Sequence, residues 1–354
     1  MSESGSFIVA TAERVFADLA DPSAILRSRS RGWRDAAWAA LQETGLTFIW
    51  VPEIYGGAEV PFEEGFEVLR AAGRAALALP LAETMLGSWL LSRAAIAPPS
   101  GSISIGPVRP TDKLRVGSDG RLSGRLTRVP FARDVDHLVL LVQSDEASQV
   151  ALVRRSDCRI EHSENLAGEP SDLVDCGGVL PLALEVAPQG MGEAELLTIG
   201  AVVRTQQIAG ALEKMLDLSV RYATERVAFE RPIGKFQAVQ HSLARFGGEV
   251  AAAVAAAGSA ADTIVRDLTA SDSCLLEVAA AKIRCGEAAE VGAAIAHQVH
   301  GAIGFTDEHV LHMYTLRAMG WRDDFGSEVF WSGKLGSLVS RIGARGLWPL
   351  LASR

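Results

Sequence analysis

The chain has 354 residues, 48% hydrophobic and 22% charged, with 34 glycines. That is enough for a large core and two or three domains or layers in a soluble globular protein. The net charge of −9 argues against nucleic acid as a general partner, and seven histidines are too few to reverse the sign.

The first 21 residues have no basic stretch followed by an apolar one, so no signal peptide is expected. Val9, Ala12, Val15, Phe16 and Leu19 form one helical stripe. Trp33, Ala37, Leu41 and Leu46 suggest a second, ended near Gly45. Pro52 and Gly56-Gly57 mark a loop, and Phe62, Phe66 and Leu69 start another helix that Gly73-Arg74 and Pro80 punctuate.

From about Pro98 to Pro188 short apolar runs alternate with turn signals, which predicts a β domain of about 90 residues inserted between helical halves. Gly117 to Gly120 and Ser144 to Ser148 read as hairpin turns. Four cysteines, Cys158, Cys176, Cys274 and Cys285, show no regular spacing, so the expectation is a reduced, cytoplasmic protein.

Helical spacing returns at about Glu193. One long helix is expected over 195–224, a second from Gln237 through Val239, Leu243, Phe246, Val250 and Val254, and a third over 272–300, closed by Gly301. A further helix follows Thr306, and these long helices are expected to pack as a bundle. The alanine-rich run 250–261 is too short to span a bilayer, and no membrane association is expected.

The stretch 226–243, RVAFERPIGKFQAVQHSL, joins the first two long helices. Arg226, Arg231 and Lys235 lie beside the start of the second. A helix N-terminus with arginine forks suits a phosphate, and the same residues also suit a plain turn with solvated cations. No G-x-G-x-x-G follows a strand, and no P-loop, H-E-x-x-H or G-x-S-x-G is present. His297 with His300 and His309 with His312 offer spacings for zinc, or lie on helix ends and solvated faces. Asp323, Asp324 and Glu328 cluster between Trp321 and Trp331. An acid among aromatics can have a raised pKa and act as a base; the alternative is an exposed acidic turn.

Four stretches together resemble the acyl-CoA dehydrogenase family. RVAFERPIGKFQAVQHSLA is similar to its R-x-x-F-G-x-P-I-x-x-F-Q-x-x-Q-H segment. QVHGAIGFTDEHVLHMYTLR is similar to its Q-x-x-G-G-x-G-[FY]-x-x-E segment, with Arg317 downstream. VPEIYGG and AAGRAALALPLAET resemble its N-terminal P-E-x-x-G-G and E-x-G-R-x-x-x-x-P segments. The resemblance implies an α+β fold of that family: an N-terminal helical domain over 1–97, a middle β-barrel-like domain over 98–190 and a C-terminal four-helix bundle over 191–354.

It also implies FAD held without a Rossmann fold. Arg226 and Phe229 would reach its pyrophosphate and adenosine side across a subunit interface, Gln237 would be a second contact, and Gln298, Gly301 and Ala302 would form the loop that cradles the ADP part. The implied reaction is α-proton abstraction from an acyl-CoA by a carboxylate and β-hydride transfer to the flavin. Electrons would pass on to an electron-transfer flavoprotein, in a homo- or hetero-tetramer.

The chain departs from the family in five places. Glu230 and Ala302 stand where glycines are usual. Gly326 stands at the usual position of the catalytic glutamate, and Gly200 near the alternative one. The middle domain lacks a match to the flavin-covering segment. Glu328, two residues on, is the candidate base, with Asp324 behind it. The alternative is a non-catalytic, FAD-clamping subunit. Short chains with a W-R-x-x-F-G ending resemble members of paired dehydrogenases acting on CoA thioesters of steroid side chains, where one glutamate can come from the other subunit.

Overall fold

The computed structural model describes residues 3–28, 32–268 and 271–352. Residues 1–2 and 353–354, at the outer ends of the first and last expected units, lie outside these. Five helices open the chain: α1 (Glu3–Leu19), α2 (Pro22–Ser28), α3 (Trp33–Glu43), α4 (Phe62–Arg74) and α5 (Leu81–Arg93). Ala12, Val15 and Phe16 of the first stripe are buried, and α3 stops two residues before Gly45, whose φ of 73° suits only a residue tolerant of the left-handed region.

Nine strands follow: β1 (Ile103–Gly106), β2 (Arg115–Val116), β3 (Leu122–Ser123), β4 (Arg125–Pro130), β5 (His137–Gln143), β6 (Ser148–Arg154), β7 (Arg159–Glu161), β8 (Ser171–Asp175) and β9 (Ala183–Val186). They form a six-stranded sheet, ordered β3-β2-β5-β6-β9 with β1 also on β5, and a three-stranded sheet, β4-β8-β7. The β5–β6 hairpin pairs His137 with Arg154 through Gln143 with Ser148, and its turn falls at the expected Ser144–Ser148. Period two sorts the side chains of β5. Leu138, Leu140 and Val142 face the core shared by the two sheets, while Val139 and Leu141 join the core that α5 builds on the other face. Both faces are covered, so β5 reads as a continuous apolar run rather than an alternating one.

The bundle comprises α6 (Glu193–Glu225), α7 (Gln237–Arg266), α8 (Asp272–His300), α9 (Leu311–Trp321) and α10 (Glu328–Ala352), the last broken at Gly343. A two-strand ribbon, β10 (Val227–Ala228) with β11 (Arg231–Pro232), links α6 to α7. α6 is the central member, buried without interruption from Leu196 to Leu212. It crosses α4 at backbone distance: a Cβ on Gly73 would lie 2.1 Å from the Gln207 carbonyl oxygen, and one on Gly210 2.0 Å from that of Arg70. The Gly73-Arg74 pair is therefore a crossing point, and Arg70 and Arg74 both hold Glu213 beyond it. The alanine-rich run lies inside α7, which at 30 residues is the one described helix long and apolar enough by composition to cross a membrane. In the fold α7 packs on its neighbours through Phe246, Val250, Ala253 and Ala257.

Candidate functional site

Two exposed backbone features share one end of the bundle. α6 ends at Glu225, and Arg226 turns extended, with its amide still donating to the Tyr222 carbonyl at 2.8 Å. The tight ribbon that follows needs two left-handed residues, and Phe229 (φ 51°) and Glu230 (φ 64°) supply them. Neither is glycine, so the turn stores on the order of 1 kcal/mol of strain per residue. The turn holds the Phe229 ring out into solvent, 89% exposed, edge-on to Phe236 at 6.2 Å. Arg231 lies 4.3 Å over the Phe236 ring. α7 then begins at Gln237 with no side chain capping it, which leaves a partly positive helix start beside exposed Arg226.

α8 finishes at the same end. Gly301 (φ 66°) turns the chain, and Gln298, Gly301 and Ala302 are all exposed. The Tyr222 ring of α6 stacks on His300 of α8 at 4.6 Å, which ties the two features together. Thus Arg226, Phe229 and Gln237 lie on one side of this end and Gln298, Gly301 and Ala302 on the other.

The four histidines lie in the same region, and one ring nitrogen of each is used locally. His297 Nε2 meets Thr315 Oγ1 at 3.0 Å, and His300 Nδ1 meets the Ala296 carbonyl at 2.8 Å. His309 Nδ1 accepts the Leu311 amide, and His312 Nδ1 meets the His309 carbonyl at 2.7 Å. Among the described residues no group of three or more histidines, cysteines or carboxylates is arranged to hold a metal. Burial pulls His297, His300 and His309 below the ordinary imidazole range.

The carboxylate cluster lies elsewhere, in the turn between α9 and α10 where the bundle meets the middle domain. Glu328 is the first residue of α10 and accepts from Arg322 Nε at 2.7 Å. Its carboxyl lies against Gly286 of α8, in the place a Cβ there would take. Asp324 is buried and takes Arg204 Nε at 2.9 Å, while Arg204 reaches Glu83 at 2.5 Å and Gln207 at 2.6 Å. Arg204 is only 2% exposed; burial opposes its charge, yet Glu83 and Asp324 together raise its pKa. Burial also raises the Asp324 pKa, against the pull of Arg204 and Lys282. Buried Lys282 donates to the Trp321 and Arg322 carbonyls, and burial lowers its pKa to about 8, with Asp324 and Glu328 opposing. The turn is an ion network in which each acid already has a cationic partner.

Its aromatics matter as much. Phe325 (φ 54°) packs on α6 where a Cβ on Gly200 would lie 2.2 Å from the ring. A Cβ on Gly326 (φ 98°) would lie 2.5 Å from Phe330 and 2.7 Å from the Trp331 indole nitrogen. That indole N–H donates to the Phe325 carbonyl at 3.0 Å. Neither glycine can carry a side chain without moving a ring.

Comparison with known proteins bears on these two places. Residues 194–326 match the family described as acyl-CoA dehydrogenase, C-terminal domain. The chain is 26% identical over 324 residues to the acyl-CoA dehydrogenase IpdE2 of Mycolicibacterium smegmatis, covering 90% of this chain and 94% of that protein. Residues 194–326 thus carry an acyl-CoA dehydrogenase C-terminal domain, and the chain as a whole is similar to acyl-CoA dehydrogenases. Its fold matches the ChsE4-ChsE5 complex from Mycobacterium tuberculosis, with a TM-score of 0.86 at 22% identity over 97% of this chain and 99% of that one. It also matches the Tcur3481-Tcur3483 steroid ACAD G363A variant, with a TM-score of 0.84 at 21% identity over 96% of this chain and 98% of that one.

The departures from the acyl-CoA dehydrogenase pattern now have physical settings. Glu230 occupies a left-handed turn position that glycine would fill without strain. Ala302 sits on an exposed loop with room for its methyl. Gly326 and Gly200 each face an aromatic ring of one segment. Sequence reasoning missed Arg204, Glu83, Lys282 and Phe325. A charged Arg204 inside an otherwise apolar helical run was the one available signal.

Proposed function

We propose that this chain is the base-lacking, FAD-clamping subunit of a hetero-oligomeric acyl-CoA dehydrogenase. Its exposed bundle end takes the ADP half of a flavin whose ring, catalytic base and acyl thioester belong to a homologous partner subunit. The observation that carries this is the contrast between the two sites. The clamp residues are displayed and unpartnered by other charges, whereas the base position is glycine with no room for a carboxylate.

The clamp fits what a pyrophosphate needs. Arg226 offers a planar fork of donors with no ion-pair partner among the described residues. The uncapped start of α7, near Gln237, adds amide N–H groups and a partial positive charge. Gly301 lets the α8 end approach a ligand through its backbone, with Gln298 and Ala302 beside it. Phe229 gives an apolar face for the adenosine side. When bound, FAD supplies hydride-acceptor chemistry. This chain's part is to bind and orient it across the subunit interface, so that the strained ribbon at Phe229–Glu230 is fixed before the ligand arrives.

Glu328 is assigned a structural role. A carboxylate already held by Arg322 and seated against α8 is poorly placed to take a proton from a thioester. The proposed substrate is an acyl-CoA with a bulky steroid-type acyl group, in line with the steroid enzyme among the fold matches. Electrons would leave to an electron-transfer flavoprotein. The test is purification of the chain alone and with a homologous partner, followed by flavin absorbance and addition of acyl-CoA with an artificial acceptor. A colourless, inert chain that becomes yellow and active only with the partner supports the proposal. A chain that is yellow and bleached by acyl-CoA on its own refutes it.

A further inference from the structure

The segment from Trp321 to Trp331 occupies the junction between the middle domain and the bundle, and it is tied to both. On the middle-domain side, the Phe325 amide donates to the Val108 carbonyl just beyond β1 at 3.0 Å. Arg109 reaches the Asp323 carbonyl at 3.3 Å, and Arg128 of β4 reaches its carboxylate at 3.1 Å. On the bundle side, Asp324 is held by Arg204 of α6 and the segment's carbonyls by Lys282 of α8. Glu83 of α5 completes the anchor through Arg204. Five elements therefore grip one turn of chain.

The turn fills the junction as well as crossing it. Phe325 is 1% exposed and seated on Gly200. Trp331 forms one wall of a slot of about 310 Å³ at the N-terminal end of α6, lined also by Pro110, Leu197 and Leu275. The backbone at Phe325 and Gly326 is left-handed. A phenylalanine in that region persists only where its surroundings over-determine it, and here ties on both sides do so.

We propose that the Trp321–Trp331 segment is a resident stopper for this chain's own cleft, with Phe325 as its seal and the Glu83–Arg204–Asp324 triad as its anchor. The excluded ligands are a planar isoalloxazine ring and the acyl group of a thioester, both of which would have to lie between the middle domain and position 326. The stopper rests on the subunit reading above and extends it: a pair of chains has one working cleft, in the partner, and takes one flavin ring and one acyl thioester. The two glycines then have a reason beyond a lost acid, because each is the space in which a ring of the stopper sits.

The experiment is amide hydrogen exchange on the chain, alone and in complex with its partner subunit, with and without FAD and octanoyl-CoA. A resident stopper exchanges with α6 and α8, so the Phe325 and Trp331 amides are protected about 10³-fold or more over an open loop in every state. Gly200→Ala adds a methyl where the ring lies, and it is expected to speed exchange across 321–331 by about tenfold while α6 stays protected. Gly200→Ala with Phe325→Ala removes the clash and is expected to give less than the sum of the two single effects. Exchange at open-loop rates in the unaltered chain, or tenfold loss of protection on adding FAD or octanoyl-CoA, makes the segment a mobile lid and overturns the proposal. Exchange reads the segment directly. A protected segment in a chain that never supports flavin binding with any partner removes the clamp function and leaves the stopper standing.

Discussion

Gly326 and Gly200, the two positions at which the sequence resemblance leads one to expect a base, are each pinned by an aromatic ring of one segment. Restoring an acid at Gly326 is therefore expected to gain no activity. Gly326→Glu must displace Phe330 and Trp331 and force a carboxylate-bearing residue to φ 98°, so it should cost about 1–3 kcal/mol in denaturant unfolding. Glu328→Gln loses the charge of its ion pair with Arg322 but keeps an acceptor oxygen for it, and is expected to leave turnover of the assembled enzyme within about threefold, whereas loss of a true base costs about 10²- to 10⁴-fold. A hundredfold fall in turnover with Glu328→Gln would return that residue to the role of base. Arg204→Leu removes the central cation of a buried network and strands Glu83 and Asp324. It should lower stability by about 3–5 kcal/mol, read as a shift in the urea midpoint.

At the scale of elements, the junction of α8 and α9 carries a pH dependence whose sign is fixed. His297, His300 and His309 have folded pKa values below the ordinary 6.5 because they are buried. As pH falls from 6.5 toward those values the unfolded chain takes up protons that the folded chain refuses, so stability drops. Exchange at Gly301–Phe305 is expected to accelerate first, and His300→Gln should flatten the response. Lys282 on α8 acts in another window. Its folded pKa of about 8 lies below the unfolded 10.5, so the unfolded chain binds the extra proton between those values and the Lys282 contribution to stability rises with pH there. The difference in unfolding free energy between the protein and Lys282→Met isolates that term, and it should grow from pH 8 to 10.

Much at this scale was legible in the sequence. The long helices over 193–225 and 272–300 and both hairpin turns follow from period and turn residues. What was not legible was long-range. Asp324 and Arg204 are 120 residues apart, and Phe325 meets Gly200 across a similar separation, so no local pattern marks either contact. The acidic turn therefore read as a site of chemistry, while in the fold its charges are spent on one another.

At the scale of the molecule, one end of the bundle is open and equipped, while the junction with the middle domain is tied shut. This asymmetry suits a chain that completes a site on another subunit. The most direct measurement is the flavin content of the complex with its partner, before and after Arg226→Ala in this chain alone. The account predicts one flavin per pair of chains, and a loss of affinity of about 10- to 100-fold with Arg226→Ala, the worth of a charge-assisted contact to phosphate. Full flavin retention by the Arg226→Ala complex would contradict it.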